Sequence, residues 1–516
     1  MSFCLASPAA KETAPSEQDS APEIEVLLPS KRAVSPHTLT TPTRTIEYQA
    51  TAASLTIHDE KSEASGRIFY IAYTADDSES PRRPLTFVFN GGPGAASAYL
   101  HLGALGPQRV VFNDDGTVPP RTPRLEGNPL SWLAFTDLVF VDPIGTGYSR
   151  MIPAEAKEAT RARKAKSAKA KTHDESPWGV AEDARFLARF IRLYLTREER
   201  WLSPVYLAGE SYGGFRVARL AKLLQSEFGI EPGGLVMISP ALEFGLLWGG
   251  EHGLLSWAAL LPTYAAVAAF HDRSDDLPEA GKDIRTRLAT VEDYALSGLL
   301  TGLARADAAE SDLWKRLAGF TGLDRAIVQR FRGRIPPERL AKTLLADRRR
   351  LVSLYDGSIT LIDPDPASSV LGERDPYLTR INAVLTPTFN SYIQDGLGFK
   401  TDLRYRLLNE EVFESWNWRS GFHGQQGYAG VIEQLRTVMS LNPALRLWIV
   451  HGVYDLVTPY FGSVIAVNQM GLDPAVRENV RIDVYQGGHM LYFRRDSREK
   501  MYQDAQRFYR DSDQSP

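Results

Sequence analysis

Apolar and polar positions change rhythm three times along this chain of 516 residues. From Thr45 to Tyr73 apolar residues alternate with polar ones around a turn-rich middle, which predicts antiparallel strands. Pro84–Asn90 (PLTFVFN) and Leu138–Gly145 (LVFVDPIG) are instead short, continuous apolar runs that stop at turn residues, as strands buried on both faces do. The segment leading to Trp201 then carries Phe186, Leu187, Phe190, Ile191, Tyr194 and Leu195 at helical spacing. Pro204–Leu224 reads as strand, turn and helix, and the apolar run from Gly233 as a further strand. Strands alternating with helices predict an α/β fold with a mostly parallel sheet covered on both faces.

After Ala241 the rhythm is lost for about 180 residues of mainly helical, charge-laced sequence without a buried-strand signal. It resumes at Leu445–Asp455 (LRLWIVHGVYD), continues through Asn479–Gly488, and ends in an amphipathic helix. The expected organisation is therefore a tail over 1–44, a core over 45–240, a largely helical cap insertion over 241–440, and the rest of the core over 441–516. An insertion of this kind covers the mouth of a site. The most apolar long segment, Gly253–Phe270, is interrupted by Pro262 and reads as buried helix rather than a membrane span.

Composition narrows the function. Hydrophobic residues at 43% and charged residues at 24% fit a globular protein, and a formal net charge of −4 argues against a general nucleic-acid binder. Lys157–Lys171 holds seven Lys or Arg against one Glu, but no aromatic residue interrupts it, so a solvated loop is expected. The single cysteine, Cys4, excludes an intrachain disulfide. The N-terminal tail resembles the trailing end of a signal peptide, with a disordered tail as the alternative; the expected location is periplasmic or secreted, or else cytoplasmic. Metal-spaced His/Cys clusters and phosphate-binding glycine loops are missing from the sequence, so no cofactor or metal is implied.

The candidate chemistry lies at the strand ends. GESYGG places Gly209, Ser211 and Gly213 in a G-x-S-x-G pattern between a strand-like and a helix-like run, the context of a nucleophile elbow. A serine nucleophile needs a base, and the base an orienting acid, in the chain order serine, acid, histidine. Only His489 follows Asp455, so chain order selects it as base. Asp455 ends a strand and precedes a loop, whereas Asp473 lies in a turn and Asp483 within a strand. His451 is expected to pack near the acid turn. Phe89–Ser97 (FNGGPGAAS) ends another strand; its glycines are either a sharp turn or a way to bring bare N–H groups to a reacting atom.

FNGGPGAAS, VDPIGTGYS, GESYGG, HGVYDLVTP and GGHM, in this order, resemble the serine carboxypeptidase family, and the chain looks like a bacterial-type member. The likeness covers about 85–240 and 445–500 and fades across the insertion. It implies an α/β-hydrolase fold and a hydrolase releasing C-terminal residues from peptides with Ser211, Asp455 and His489 as triad. It further implies an oxyanion hole of the Gly92 and Tyr212 N–H groups, with Asn90, Gly91 and Glu210 holding the substrate's free carboxylate. An esterase or acyltransferase using the same triad is the alternative, and a non-catalytic binding protein a more distant one.

Some positions depart from the family pattern. Two carboxylates repel unless one carries a proton, and the family's second glutamate, which shares a hydrogen bond with the first, is replaced by Ala104. Glu210 is therefore expected to be protonated through burial alone or to be helped by a cation. Tyr492 stands where the family has a proline and is expected to alter the wall of the leaving-group pocket.

Overall fold

The computed structural model describes residues 32–513 except 60, 77–81, 121, 153–177, 248–249, 278–283, 306–310, 373 and 420–428. Cys4 and the basic run at 157–171 lie outside the described residues. In chain order the strands are β1 (Arg32–Thr40), β2 (Thr45–His58), β3 (Ala64–Ala75), β4 (Leu85–Phe89), β5 (Gln108–Val110), β6 (Leu125–Gly127) and β7 (Asp137–Val141). They continue with β8 (Arg150–Met151), β9 (Val205–Glu210), β10 (Gly234–Ile238), β11 (Arg350–Val352), β12 (Thr360–Ile362), β13 (Arg446–Gly452) and β14 (Val480–Tyr485).

One large sheet runs β1-β2-β3-β7-β4-β9-β10-β13-β14, with β8 added against β3. β1, β2 and β3 are antiparallel, as is the join of β3 to β7. From β7 to β14 every neighbouring pair is parallel. The continuous apolar runs are the centre of this sheet: every residue of β4, β7, β9 and β10 is buried. Successive side chains point to opposite faces. Thus Phe87, Val139, Leu207, Met237 and Ile449 pack with the helices Val180–Arg197 and Tyr212–Leu223, while Val88, Phe140, Ala208, Val236 and Val450 pack with the C-terminal helix Arg495–Asp513.

Two features differ from the sequence reading. Arg32–Thr40, assigned there to a tail, forms β1, paired along its whole length with β2. Its side chains are almost all half-exposed or exposed, so it has no apolar face for a periodicity to reveal, and Pro36 is tolerated because the strand is an edge. The insertion also splits into two packing units. Residues from Leu254–Phe270 onward build their own core with Tyr454, Tyr460 and Phe461, whereas helix Pro376–Ser391 contributes Ile381, Leu385 and Phe389 to the core beside β2 and β3. Between these units lies the β11–β12 hairpin, too short to register as a strand signal. Among the described residues no helix is long and apolar enough to cross a membrane.

Because β4, β9, β10, β13 and β14 are parallel, their carboxyl ends share one edge of the sheet, where Asn90, Ser211, Ser239, Asp455 and His489 follow. The carboxyl edge of an open parallel sheet is where such folds place ligands.

Candidate active site

Ser211 sits at the sharp turn from β9 into helix Tyr212–Leu223, with φ 60° and ψ −126°. A left-handed φ is costly for a residue with a Cβ, and the surroundings hold it: Ser211 N–H donates to Ile238 O at 2.9 Å, and Gly214 N–H donates to Ser211 O at 2.9 Å. Tyr212 opens the helix, so its N–H has no acceptor within it.

The glycine turn after β4 packs directly on this elbow. A Cβ on Gly91 would stand 2.5 Å from the Tyr212 nitrogen and 2.6 Å from Glu210 O, so a side chain there would force the two turns apart. Gly92 has φ +95°, a conformation that favours glycine. FNGGPGAAS is therefore a sharp turn whose backbone packs closely on the backbone of the elbow. The turn is also tied from behind: Arg216, on the helix after Ser211, donates to Asn90 O and is held by the buried Asp183 at 2.6 Å.

Asp455 and His489 meet across the ends of β13 and β14, with His489 Nδ1 2.8 Å from Asp455 Oδ2. Both are buried. Asp455 Oδ1 accepts from the N–H groups of Val457 (2.9 Å) and Thr458 (3.0 Å), and the Thr458 hydroxyl lies 2.7 Å from Oδ2. This set of donors holds a buried carboxylate in one orientation. Burial disfavours a charged His489, but the Asp455 charge and hydrogen bond, with Glu210, outweigh it and raise the imidazole above its ordinary value. The other candidates are structural: Asp473 caps a short helix, and Asp483 accepts from the Trp448 indole. His451 bonds Ser463 at 2.8 Å, and burial lowers its pKa to about 4.

Asn90, Gly91, Gly92, Glu210, Ser211, Tyr212 and His489 all line one cavity of about 220 Å³; Asp455 lies behind His489. Glu210 Oε2 accepts from Asn90 Nδ2 at 2.9 Å and from the Tyr492 hydroxyl at 2.7 Å. Burial pushes Glu210 up to about 7, while the His489 charge and these two hydrogen bonds pull the other way. Burial is what favours protonated Glu210, as one of the two sequence alternatives had it, and the Tyr492 hydroxyl bonded to Oε2 works against it. The expectation for Tyr492 itself changes, because it lies behind Glu210, outside the described lining of the cavity.

Sequence reasoning missed one further element. Leu354–Gly357, between β11 and β12, bridges the acid and base loops: Leu456 N–H donates to Leu354 O (3.0 Å), Gly357 N–H to Tyr454 O (2.9 Å), and His489 N–H to Tyr355 O (2.6 Å). The Tyr355 ring stands edge-on to His489 with centroids 5.5 Å apart. Asp375, the N-cap of helix Pro376–Ser391, anchors this clip by accepting from Leu354 N–H at 2.7 Å. An Asp356-Gly357 pair signals a turn in the sequence, but nothing there says what the turn touches.

Residues 54–228 match the model of the serine carboxypeptidase family. Over this span the chain is similar to that family. The span holds the glycine turn and Ser211 and stops short of Asp455 and His489. Among curated relatives, serine carboxypeptidase-like 36 of Arabidopsis thaliana is 28% identical over 204 residues, 37% of this chain and 36% of that one. Serine carboxypeptidase-like 28 of the same plant is 34% identical over 31% of this chain and 30% of its own length. The pheromone-processing carboxypeptidase kex1 of Sclerotinia sclerotiorum is 30% identical over 31% of this chain and 21% of its own. The matches thus span about a fifth to a third of these relatives, which are plant and fungal rather than bacterial. The solved structure of Kex1, a prohormone-processing carboxypeptidase from Saccharomyces cerevisiae, superposes with a TM-score of 0.54 at 15% identity, covering 90% of this chain and 92% of that one. The fold is accordingly an α/β-hydrolase fold.

Proposed function

We propose that this protein is a serine-type carboxypeptidase that releases C-terminal residues from peptides. The supporting observation is the Asn90–Glu210 hydrogen bond in the same cavity as Ser211 and His489, which sets a carboxylate-holding pair beside a nucleophile and its base. In this reading the Ser211 hydroxyl attacks the last peptide carbonyl while His489 Nε2 takes its proton. Asp455, bonded to Nδ1, fixes the tautomer and stabilises the imidazolium. The N–H groups of Gly92 and Tyr212 receive the developing oxyanion; loss of one such donor costs about 3 kcal/mol of transition-state stabilisation elsewhere. His489 returns the proton to the departing amine, the C–N bond breaks, and water, activated by the same base, hydrolyses the acyl-enzyme.

The peptide's free carboxylate is held by Asn90, the Gly91 N–H and a protonated Glu210. Protonation turns Glu210 from a repelling charge into a donor, and burial favours that form. The test is a peptide series bearing free or amidated C-termini, incubated with the protein and with Ser211→Ala, and followed by mass spectrometry. Stepwise loss of C-terminal residues from the free acids alone, lost with Ser211→Ala, is expected. Equal cleavage of both forms, or ester hydrolysis alone, would move the function to an esterase or acyltransferase.

A further inference from the structure

Tyr492 is the third residue after His489, in the single helical turn Leu491–Phe493, and is fully buried. Its ring lies over Gly103, where a Cβ would come within 2.6 Å of ring atom Cε2, and packs against Phe493 with centroids 4.9 Å apart. The ring is thus fixed, and its hydroxyl is delivered to one atom, Glu210 Oε2.

Asn90 reaches the same atom from the other side. Its amide orientation is not ambiguous, because Leu100 N–H donates to Asn90 Oδ1 at 3.0 Å and leaves Nδ2 facing Glu210. Oε2 therefore accepts two hydrogen bonds, which occupy both of its lone pairs. Oε1 takes no bond from the described residues, and Glu210 lines the cavity.

We infer that Tyr492 is a positioning residue that, together with Asn90, makes Glu210 Oε2 a fixed double acceptor and so places the carboxyl proton on Oε1, where it is offered to the carboxylate of a bound peptide. The inference rests on the carboxypeptidase reading above and adds the residue that orients its clamp. Two donors on Oε2 also polarise the carbonyl, which strengthens Oε1–H as a donor. Tyr492 itself keeps its proton, since burial and the nearby Glu210 raise its pKa far above the ordinary tyrosine value. The other titratable groups around Glu210 are His489 and Asp455 at the strand ends, Tyr99 after the glycine turn, and Tyr355 from the clip.

The test is Tyr492→Phe, which keeps the ring over Gly103 and removes only the hydroxyl. The readout is the pH profile of kcat/KM for a peptide with a free C-terminus, referred to that of an ester without a carboxylate. Removing a donor that favours ionised Glu210 should move the alkaline limb of the free-acid profile upward by about 0.5–1 pH unit relative to the ester. KM for the free acid should rise several-fold more than kcat changes. A limb that stays in place, or equal changes for acid and ester, would overturn the role.

The two readings fail differently. If the unsubstituted protein does not prefer free-acid over amidated peptides, the clamp falls, and the role of Tyr492 with it. If it does prefer them and Tyr492→Phe leaves the limb unmoved, only the role of Tyr492 falls. Should Tyr492→Phe fold poorly, infrared difference spectra of the unsubstituted protein between about pH 5 and about pH 9, with Glu210→Gln as blank, decide the point. A carboxylic C=O band lowered as for a doubly hydrogen-bonded acid is expected, and a band at the free carbonyl frequency overturns the inference.

Discussion

The Asp356 carboxylate accepts from the Gly488 N–H at 2.9 Å, so a residue of the insertion holds the peptide unit next to the candidate base. Gly488 has no room for a side chain, since a Cβ there would lie 2.0 Å from Tyr355 O. Asp356 is kept in place by Ser358, whose N–H and hydroxyl both donate to Oδ1. The insertion therefore does more than cover the cavity; it ties the loops bearing Asp455 and His489 to one another.

Removing this tie should act on the chemical step. Asp356→Ala is expected to lower kcat by about 10- to 100-fold with a smaller change in KM, because a base displaced by even about 1 Å loses its alignment. Asp356→Asn, which keeps an acceptor for Gly488, should recover much of the loss. Steady-state kinetics on a free-acid peptide, with near-ultraviolet circular dichroism to verify folding, checks this; full activity in Asp356→Ala would remove the clip from the mechanism.

How much of this was legible beforehand depends on whether the determining contact is local. Continuous apolar runs are the direct imprint of strands buried on both faces, so β4, β7, β9, β10 and β13 could be read from Leu85, Asp137, Val205, Gly234 and Arg446 onward. Ser211 and Asp455 were readable because each follows such a strand at a turn, and His489 because it is the only histidine after Asp455 in the chain. Tyr492 and Asp356 were not readable as partners of Glu210 and Gly488. Those contacts span 282 and 132 residues of chain, and no periodicity encodes a contact that long. β1 escaped for another reason: an edge strand with no buried face leaves no pattern.

The pH dependence of peptide cleavage should be a narrow bell near neutrality. His489 must be neutral to act as base, and its pKa is raised above the ordinary imidazole value, so activity falls on the acid side. Glu210 must be protonated to meet a carboxylate, and its pKa of about 7 sets the fall on the alkaline side. The two groups interact, so one proton shared between them has a productive arrangement, neutral His489 with protonated Glu210, and an unproductive one with both charged. An ester without a carboxylate should show the acid limb alone. Undiminished peptide cleavage up to about pH 9 would contradict the requirement for protonated Glu210.

Stability should carry the mark of the same carboxyl. Glu210 has a higher pKa folded, about 7, than its ordinary value of 4.5, so the folded state binds the proton more tightly. Its favourable contribution is complete below the unfolded pKa and is lost as pH rises through the folded one, leaving a buried charge. Glu210→Gln keeps an acceptor for Asn90 and Tyr492 without that charge. It should match the unsubstituted protein near pH 4 and exceed it by up to about 3 kcal/mol near pH 8 in urea unfolding. Equal stability at both pH values would mean that Glu210 ionises without cost.

The cavity wall predicts which peptides are cut fastest. Tyr99, Phe244, Leu247, Leu408, Phe413 and Met490 line it, and the ionisable acids and bases among the described lining residues, tyrosines aside, are two, Glu210 and His489. A lysine or arginine side chain would find a carboxyl already engaged by Asn90 and Tyr492, and an aspartate or glutamate would find no lysine or arginine among the described lining residues. Each buried methylene is worth about 0.8 kcal/mol, so Leu, Met or Phe next to the scissile bond should exceed Ala by about 10- to 100-fold in kcat/KM. Asp and Lys should fall below Ala. A panel of N-blocked dipeptides with a free C-terminus measures this directly. Faster cleavage beside Lys or Asp than beside Leu would show that a charged group outside this wall selects the substrate.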